Sequence, residues 1–144
     1  MTRASATPNV SSVRPSRSSR HTSASHKVLV VDDNDDVREA FVTLLLMHGY
    51  RASGASSGLG ALEQLHDGLR PCVVLLDLRM PEMDGWSVWA RMHAAPKLAS
   101  IPVVMVSGDP EQLRRAEMLG MRNFIRKPVD AEKLLGTVAR YCES

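Results

Sequence analysis

The sequence contains few aromatic residues, only two cysteines and no long apolar run. Aromatic side chains make up 4% of the 144 residues. No run approaches the roughly 18 apolar residues that a membrane-spanning helix requires, so we expect no membrane partner. Cys72 lies in a short apolar run and Cys142 lies near the chain end. We therefore expect both cysteines to be unpaired, with thiols that are buried or have no function, as is usual in the reducing cytoplasm.

Acidic residues are absent from the first 26 positions, which hold eight serines and four arginines. Such a segment cannot bury enough apolar surface to offset the entropy lost on ordering. We predict a disordered tail at residues 1–26 and one folded domain at residues 27–144. An organelle transit peptide has a similar composition, whereas a secretory signal needs an apolar segment that this tail lacks.

A large excess of charge is also missing from the predicted domain. The whole chain has 18 basic and 16 acidic residues, and four of the basic residues belong to the tail. The domain is therefore slightly acidic, which gives no reason to expect a nucleic-acid partner.

Short apolar runs alternate with segments of helical period from Lys27 onward, as in βα units on a parallel sheet. The predicted strands are Lys27–Val31, Arg51–Ala55, Cys72–Leu76, Val103–Val106 and Arg122–Arg126. The predicted helices run from about Asp35 to His48, Leu59 to His66, Trp86 to His93, Pro110 to Leu119, and onward from the cap residue Asp130. The fold class is therefore α/β, with five strands and five helices.

Polar side chains follow four of the predicted strands: Asp32 and Asp33, Asp77, Ser107, and Lys127. The carboxyl ends of parallel strands share one edge of the sheet, so we expect these groups to lie close together. Carboxylate oxygens bind Mg²⁺, and a carboxylate beside that metal can attack phosphorus to give an aspartyl-phosphate. A lysine ammonium can form an ion pair with a phosphoryl oxygen, and a hydroxyl group can donate a hydrogen bond to another.

The sequence resembles the receiver domain of two-component response regulators over essentially all of residues 27–143. Four segments carry this resemblance, each at the end of a predicted strand. They are Val31-Asp32-Asp33-Asn34, the run from Leu75 through Asp77 to Gly85, Val106-Ser107-Gly108, and Lys127-Pro128.

The resemblance implies a doubly wound, flavodoxin-like parallel sheet with strand order 2-1-3-4-5. It also implies that Asp77 is the phosphoacceptor, with Mg²⁺ as cofactor held by Asp32, Asp33, Asp77 and the backbone carbonyl of Arg79.

Further roles follow from the same resemblance. Ser107 and Lys127 would bind the phosphoryl group, and the bond before Pro128 would be cis. Phe124 stands at the position of the family's switch aromatic, which would move together with Ser107. Arg79 and Asp109 border the path of an attacking water, and our hypothesis is that they slow loss of the phosphoryl group.

The resemblance implies a signalling protein that catalyses only its own phosphorylation and dephosphorylation. The phosphodonor would be a histidine kinase or a phosphotransfer protein, and the downstream target would be another protein. Because the chain stops at Ser144, we expect a stand-alone receiver. Its output surface, which is also a candidate for homodimer contact, would combine the fourth and fifth helices with the fifth strand. That surface offers Arg114, Arg115, Met118, Arg122, Phe124 and Arg140.

Two other functions compete with this interpretation. A phosphorylation-independent scaffold or dimerisation module would keep the fold without using Asp77. A haloacid-dehalogenase-type phosphatase also uses an aspartyl nucleophile, but it requires a second aspartate two residues later, where this chain has Arg79.

Overall fold

A computed structural model describes residues 26–121 and 123–143. The predicted tail, apart from His26, and Arg122 lie outside the described residues. The strands are β1 (Lys27–Val31), β2 (Arg51–Ala55), β3 (Val73–Asp77), β4 (Val103–Ser107) and β5 (Phe124–Arg126). The helices are α1 (Asp35–Met47), α2 (Gly58–His66), α3 (Gly85–Ala94), α4 (Pro110–Met118) and α5 (Ala131–Cys142).

The strands form one parallel sheet in the order β2-β1-β3-β4-β5, which confirms the predicted topology. The strand order reverses at β1, which pairs with β2 on one side and with β3 on the other. Val31 is in register with Leu76 across the β1–β3 pair. The residues that follow them, Asp32 and Asp77, are therefore neighbours at the carboxyl edge of the sheet.

Two layers of helices cover the two faces of the sheet. Alternate strand residues point to opposite faces, and both sets are apolar because both faces are covered. One set packs with Leu45 of α1 and with Leu134 and Val138 of α5. The other set packs with side chains of α2, α3 and α4, among them Leu65 and Met92. No helix in the described part of the chain is both long and apolar enough to span a membrane.

Polar side chains begin the helices and fix the chain direction as it leaves the sheet. The N-cap residues are Asn34, Ser57, Asp84, Asp109 and Asp130, and each accepts a hydrogen bond from a backbone N–H in the first turn. Each of these helices follows a strand of the parallel sheet, so the caps stand close to the carboxyl edge.

Element boundaries differ little from those predicted. The third strand extends through Asp77, and the fourth extends through Ser107, because both residues still pair with their neighbours. The nucleophile candidate is therefore held by the sheet ladder and is not part of a loop.

The expectation of unpaired thiols is wrong, because Cys72 and Cys142 form a disulfide. Their Cα atoms lie 5.2 Å apart, although the residues are separated by 70 positions in the sequence. Packing of α5 across the sheet brings its last turn to the start of β3. The sequence shows two distant cysteines, and only this packing makes them neighbours.

Candidate functional site

The carboxyl ends of β1, β3, β4 and β5 surround a cleft of about 600 Å³. Its lining consists of Asp32, Asp33, Asn34, Asp77, Arg79, Ser107, Gly108, Asp109, Pro110 and Lys127. The structure thus gathers all five polar residues that the strand ends predicted into one place.

Three carboxylates converge on one side of this cleft. Oxygen atoms of Asp32, Asp33 and Asp77 lie within 4.8 Å of one another. Asp32 is 2% exposed and Asp77 is 5% exposed, whereas Asp33 is exposed to solvent. Negative charges this close, two of them away from water, repel one another unless a proton or a cation compensates them.

Burial raises the pKa of Asp77 from 3.8 to about 6, and the neighbouring Asp32 carboxylate adds to the rise. Lys127 and a hydrogen bond from the Arg79 backbone N–H, 3.3 Å from Asp77 Oδ1, act in the opposite direction. The local field therefore favours a bound positive charge beside Asp77.

Lys127 supplies part of that positive charge. Its Nζ lies 3.0 Å from Asp32 Oδ2 and 3.6 Å from Asp77 Oδ2. The backbone N–H of Lys127 donates to the carbonyl of Ser107, and the following bond to Pro128 is cis. This backbone contact places the lysine beside the end of β4, from where its side chain reaches the carboxylates.

Ser107 is buried at the end of β4, with 1% of the residue exposed. Its Oγ accepts a hydrogen bond of 3.0 Å from the backbone N–H of Asp109. That bond uses a lone pair, so the hydroxyl proton can be donated to an anionic oxygen in the cleft.

Arg79 and Asp109 meet at the mouth of the cleft. Their side chains form an ion pair of 3.3 Å, with the Arg79 side chain 70% exposed. Asp109 also caps α4 by accepting from the backbone N–H of Glu111. The pair therefore joins the loop after β3 to the start of α4.

Phe124 lies away from the cleft, on β5. It is partly buried and lines a separate groove of about 410 Å³ between β5 and the flanking helices. The groove is lined by Pro110, Leu113, Arg114, Glu117, Phe124, Arg126 and Lys133. Phe124 is in register with Met105 on β4, two residues before Ser107.

The donor set in the cleft fits a hard divalent cation. Mg²⁺ takes oxygen ligands, retains several waters and needs few protein carboxylates. Asp32, Asp33 and Asp77 supply such oxygens, and two of them are buried as like charges.

Sequence reasoning missed two residues that support Asp32 from α1 and its cap. The backbone N–H of Asn34 donates to Asp32 Oδ1 at 2.9 Å, and Arg38 Nη1 donates to the Asp32 carbonyl at 2.9 Å. The sequence did contain one signal for the role of Arg38. Asp35 and Arg38 are of opposite charge and three residues apart, so they lie on the same face of the first turn of α1.

Gly85 brings the start of α3 against the backbone at the end of β3. A Cβ atom at this position would lie 2.5 Å from the carbonyl oxygen of Asp77. Only glycine permits this close approach, so the start of α3 packs directly against the backbone of Asp77, the last residue of β3.

The family model described as the response regulator receiver domain matches residues 28–139. The chain is 33% identical over 119 residues to the chemotaxis protein CheY of Treponema pallidum, covering 81% of this chain and 82% of that protein. It is 32% identical over 111 residues to the regulatory protein AtoC of Escherichia coli, covering 77% of this chain but 24% of that longer protein. The crystal structure of a response regulator receiver protein from Pseudomonas putida superimposes with a TM-score of 0.72 at 36% identity, covering 79% of this chain and 95% of that one.

Proposed function

The chain belongs to the response regulator receiver domain family, and we propose that it accepts a phosphoryl group on Asp77 from a histidine kinase or phosphotransfer protein. The observation that carries this proposal is the convergence of Asp32, Asp33 and Asp77 with Lys127 and Ser107 in one cleft. A nucleophile, oxygen ligands for a metal, a cation and a hydroxyl are the parts that phosphoryl transfer to a carboxylate needs.

The proposed step exchanges one bond to phosphorus for another. A carboxylate oxygen of Asp77 attacks the phosphorus of a phosphohistidine and forms a P–O bond. The phosphohistidine ring is protonated on its other nitrogen, so when the P–N bond breaks and its electron pair stays on the histidine nitrogen, the ring leaves as a neutral imidazole. Asp77 must be ionised to attack, so Lys127 assists by favouring the charged carboxylate.

The other residues of the cleft act on the phosphoryl oxygens and on the metal. Bound Mg²⁺ would neutralise charge that develops on these oxygens during transfer. Asp32, Asp33, Asp77 and the backbone carbonyl of Arg79 would hold it. Lys127 would form an ion pair with one phosphoryl oxygen, and the Ser107 hydroxyl would donate to another.

The phosphoryl group would leave by hydrolysis, and we propose that Arg79 and Asp109 slow this step. An attacking water must approach phosphorus opposite the Asp77 oxygen, forming phosphate and returning the carboxylate with release of a proton. The Arg79–Asp109 ion pair spans the loops at the mouth of the cleft. A side chain held there reduces the access of water along that line.

The output of the switch would be the face formed by α4, β5 and α5. When the Ser107 hydroxyl turns to a phosphoryl oxygen, Phe124 would move inward and change this face. The change shifts an existing equilibrium, so a target protein responds only through its different affinities for the two forms. Phe124 is partly buried and borders the groove on this face, whose charged lining is mostly basic, with Arg114, Arg126 and Lys133 against Glu117.

We place this exchange in the cytoplasm because histidine kinases obtain their phosphoryl groups from ATP there; free thiols no longer support this compartment, since Cys72 and Cys142 are paired. A homodimer formed through α4, β5 and α5 would use the same face as a target. Native mass measured before and after phosphorylation distinguishes a dimer from a monomer that binds other proteins.

Intact mass after incubation with a small phosphodonor and Mg²⁺ tests the proposed function. We expect one added phosphoryl group on the wild type and none with a chelator or on Asp77→Asn. Asp84→Asn is the matched control, because Asp84 is an exposed helix cap on the same side of the sheet and asparagine also caps helices. If a small phosphodonor and purified histidine kinases or phosphotransfer proteins all leave the mass unchanged, the chain is a phosphorylation-independent scaffold.

A further inference from the structure

We propose that Arg38 is a positioning residue that orients the metal-binding carboxylates Asp32 and Asp33; this inference rests on the proposed function. The guanidinium group of Arg38 joins the first turn of α1 to the end of β1. Its Nη1 donates to the carbonyl oxygen of Asp32 at 2.9 Å, and its Nη2 contacts Asp35 Oδ1 at 2.7 Å.

The carbonyl that Arg38 binds belongs to the peptide unit between Asp32 and Asp33. A peptide unit is planar, so a hydrogen bond to its oxygen fixes the orientation of the whole plane. The Cα atoms of both aspartates lie in that plane. Arg38 therefore sets the directions in which the two side chains leave the backbone. Within the described part of the chain, its hydrogen bond goes to the Asp32 backbone and not to either of these carboxylates.

The remaining groups of Asp32 are held by other partners. Its backbone N–H donates to the Ala55 carbonyl at 3.1 Å. Its Oδ1 accepts from the Asn34 backbone N–H, and its Oδ2 lies 3.0 Å from Lys127 Nζ. The hydrogen bond from Arg38 holds the remaining polar group, the carbonyl oxygen of Asp32. Because its donor is charged, this bond is stronger than a neutral hydrogen bond.

The stem of Arg38 is held in place by packing against β2. The side chain is 15% exposed, and a Cβ atom at Gly54 would lie 3.0 Å from its Cδ. Gly54 pairs with Val30 in the sheet, directly beside the end of β1. The missing side chain at Gly54 thus leaves the space through which Arg38 reaches the Asp32 carbonyl.

The ion pair with Asp35 is secondary to this function. The Asp35 side chain is 73% exposed, so water screens the pair and it contributes little energy. Removing the Asp35 charge leaves the bond from Arg38 to Asp32 intact. The two contacts of Arg38 can therefore be separated by mutation.

Titration calorimetry with Mg²⁺ alone tests the role of Arg38. We expect Arg38→Ala to weaken Mg²⁺ binding by about 10-fold, the usual order for loss of a group that orients a metal ligand. Arg38→Lys should restore part of the affinity, because a single ammonium can still donate to the carbonyl. Asp35→Asn should bind Mg²⁺ like the wild type.

Arg114→Ala is the matched control. Arg114 also pairs with an acid three residues earlier, Glu111, but it is more exposed and lies on α4. We expect no change in its Mg²⁺ affinity. Gly54→Ala is a second test that retains the arginine and displaces its stem, and it should weaken Mg²⁺ binding in the same direction as Arg38→Ala.

If Arg38→Ala folds and binds Mg²⁺ as tightly as the wild type, the inference is overturned and the proposed function still stands. If Arg38→Ala does not fold, wild-type Mg²⁺ affinity in Gly54→Ala has the same meaning. An equal loss in Arg38→Ala and Arg114→Ala would also overturn it, because a general charge effect would then explain both. A wild type that neither binds Mg²⁺ nor becomes phosphorylated would refute the proposed function itself, and this inference with it.

Discussion

Lys127 Nζ lies 3.0 Å from Asp32 Oδ2, although the two residues are 95 positions apart in the chain. The same ammonium lies 3.6 Å from Asp77. One cation is thus shared between two buried carboxylates, with Asp33 close by as a third negative charge. Burial and the neighbouring Asp32 carboxylate raise the pKa of Asp77, and the excess of negative charge makes the cleft electrostatically unfavourable without a further cation.

Asp77→Asn should stabilise the metal-free protein at neutral pH. The pKa of Asp77 is about 6 in the folded protein and 3.8 in its ordinary state, so the folded protein binds the proton more tightly. The stability that this bound proton contributes to the folded protein is complete below about pH 3.8 and is lost as the pH rises through about 6. At pH 7 we expect the variant to gain up to about 3 kcal/mol in free energy of unfolding.

Urea denaturation in chelator at pH 7 and at pH 4 measures this gain. The difference between variant and wild type should shrink towards zero at the lower pH. Asp84→Asn, at an exposed cap, should show no comparable gain at either pH. A gain in Asp77→Asn that is independent of pH would point to packing as its cause.

Arg79→Ala should shorten the lifetime of the phosphoryl group. Removing the side chain breaks the ion pair with Asp109 and opens the mouth of the cleft to water. The half-life of purified phosphoprotein, followed by intact mass, should fall several-fold. Arg114→Ala removes an exposed arginine that lies outside the cleft lining and should leave the half-life unchanged. An unchanged half-life in Arg79→Ala would contradict the proposed obstruction.

Phe124→Ala should uncouple phosphorylation from the change in α4, β5 and α5. The residue lies outside the cleft lining, so Asp77 should still become phosphorylated at the wild-type rate. Hydrogen exchange in α4 and α5 should then respond less to phosphorylation than in the wild type. Phe41→Ala truncates another partly buried phenylalanine, on α1, and should retain the response. Equal loss of phosphorylation and response in Phe124→Ala would refute the switch assignment.

Reduction of the Cys72–Cys142 disulfide should lower the free energy of unfolding by about 2–4 kcal/mol, because the bond closes a long loop in the unfolded chain. Denaturation with and without reductant measures the difference. Cys142→Ser cannot form the bond, so reductant should not change its stability. If alkylation of the unreduced, denatured protein labels both cysteines, the bond does not form in solution.

Much of the fold follows from local sequence patterns. Apolar runs of about five residues, alternating with helical periodicity and ending in polar turns, were sufficient to predict the strands, the helices and the parallel sheet. The weakly apolar segment Arg51–Ala55 also forms a strand, β2, as predicted, but its place at the sheet edge was implied only by the family resemblance. Boundaries moved by a residue or two because pairing with neighbouring strands, which the local pattern does not contain, extended β3 and β4.

The sequence by itself determined which chemical groups stand at the strand ends, because side-chain type and strand periodicity are local properties. Tertiary structure alone decided the pairing of Cys72 with Cys142, the reach of Arg38 to the Asp32 carbonyl and the sharing of Lys127 between two carboxylates. These contacts depend on how helices lie across the sheet and on space left by small residues such as Gly54. Distances between residues remote in the chain are set by packing of the whole domain, which no short segment encodes.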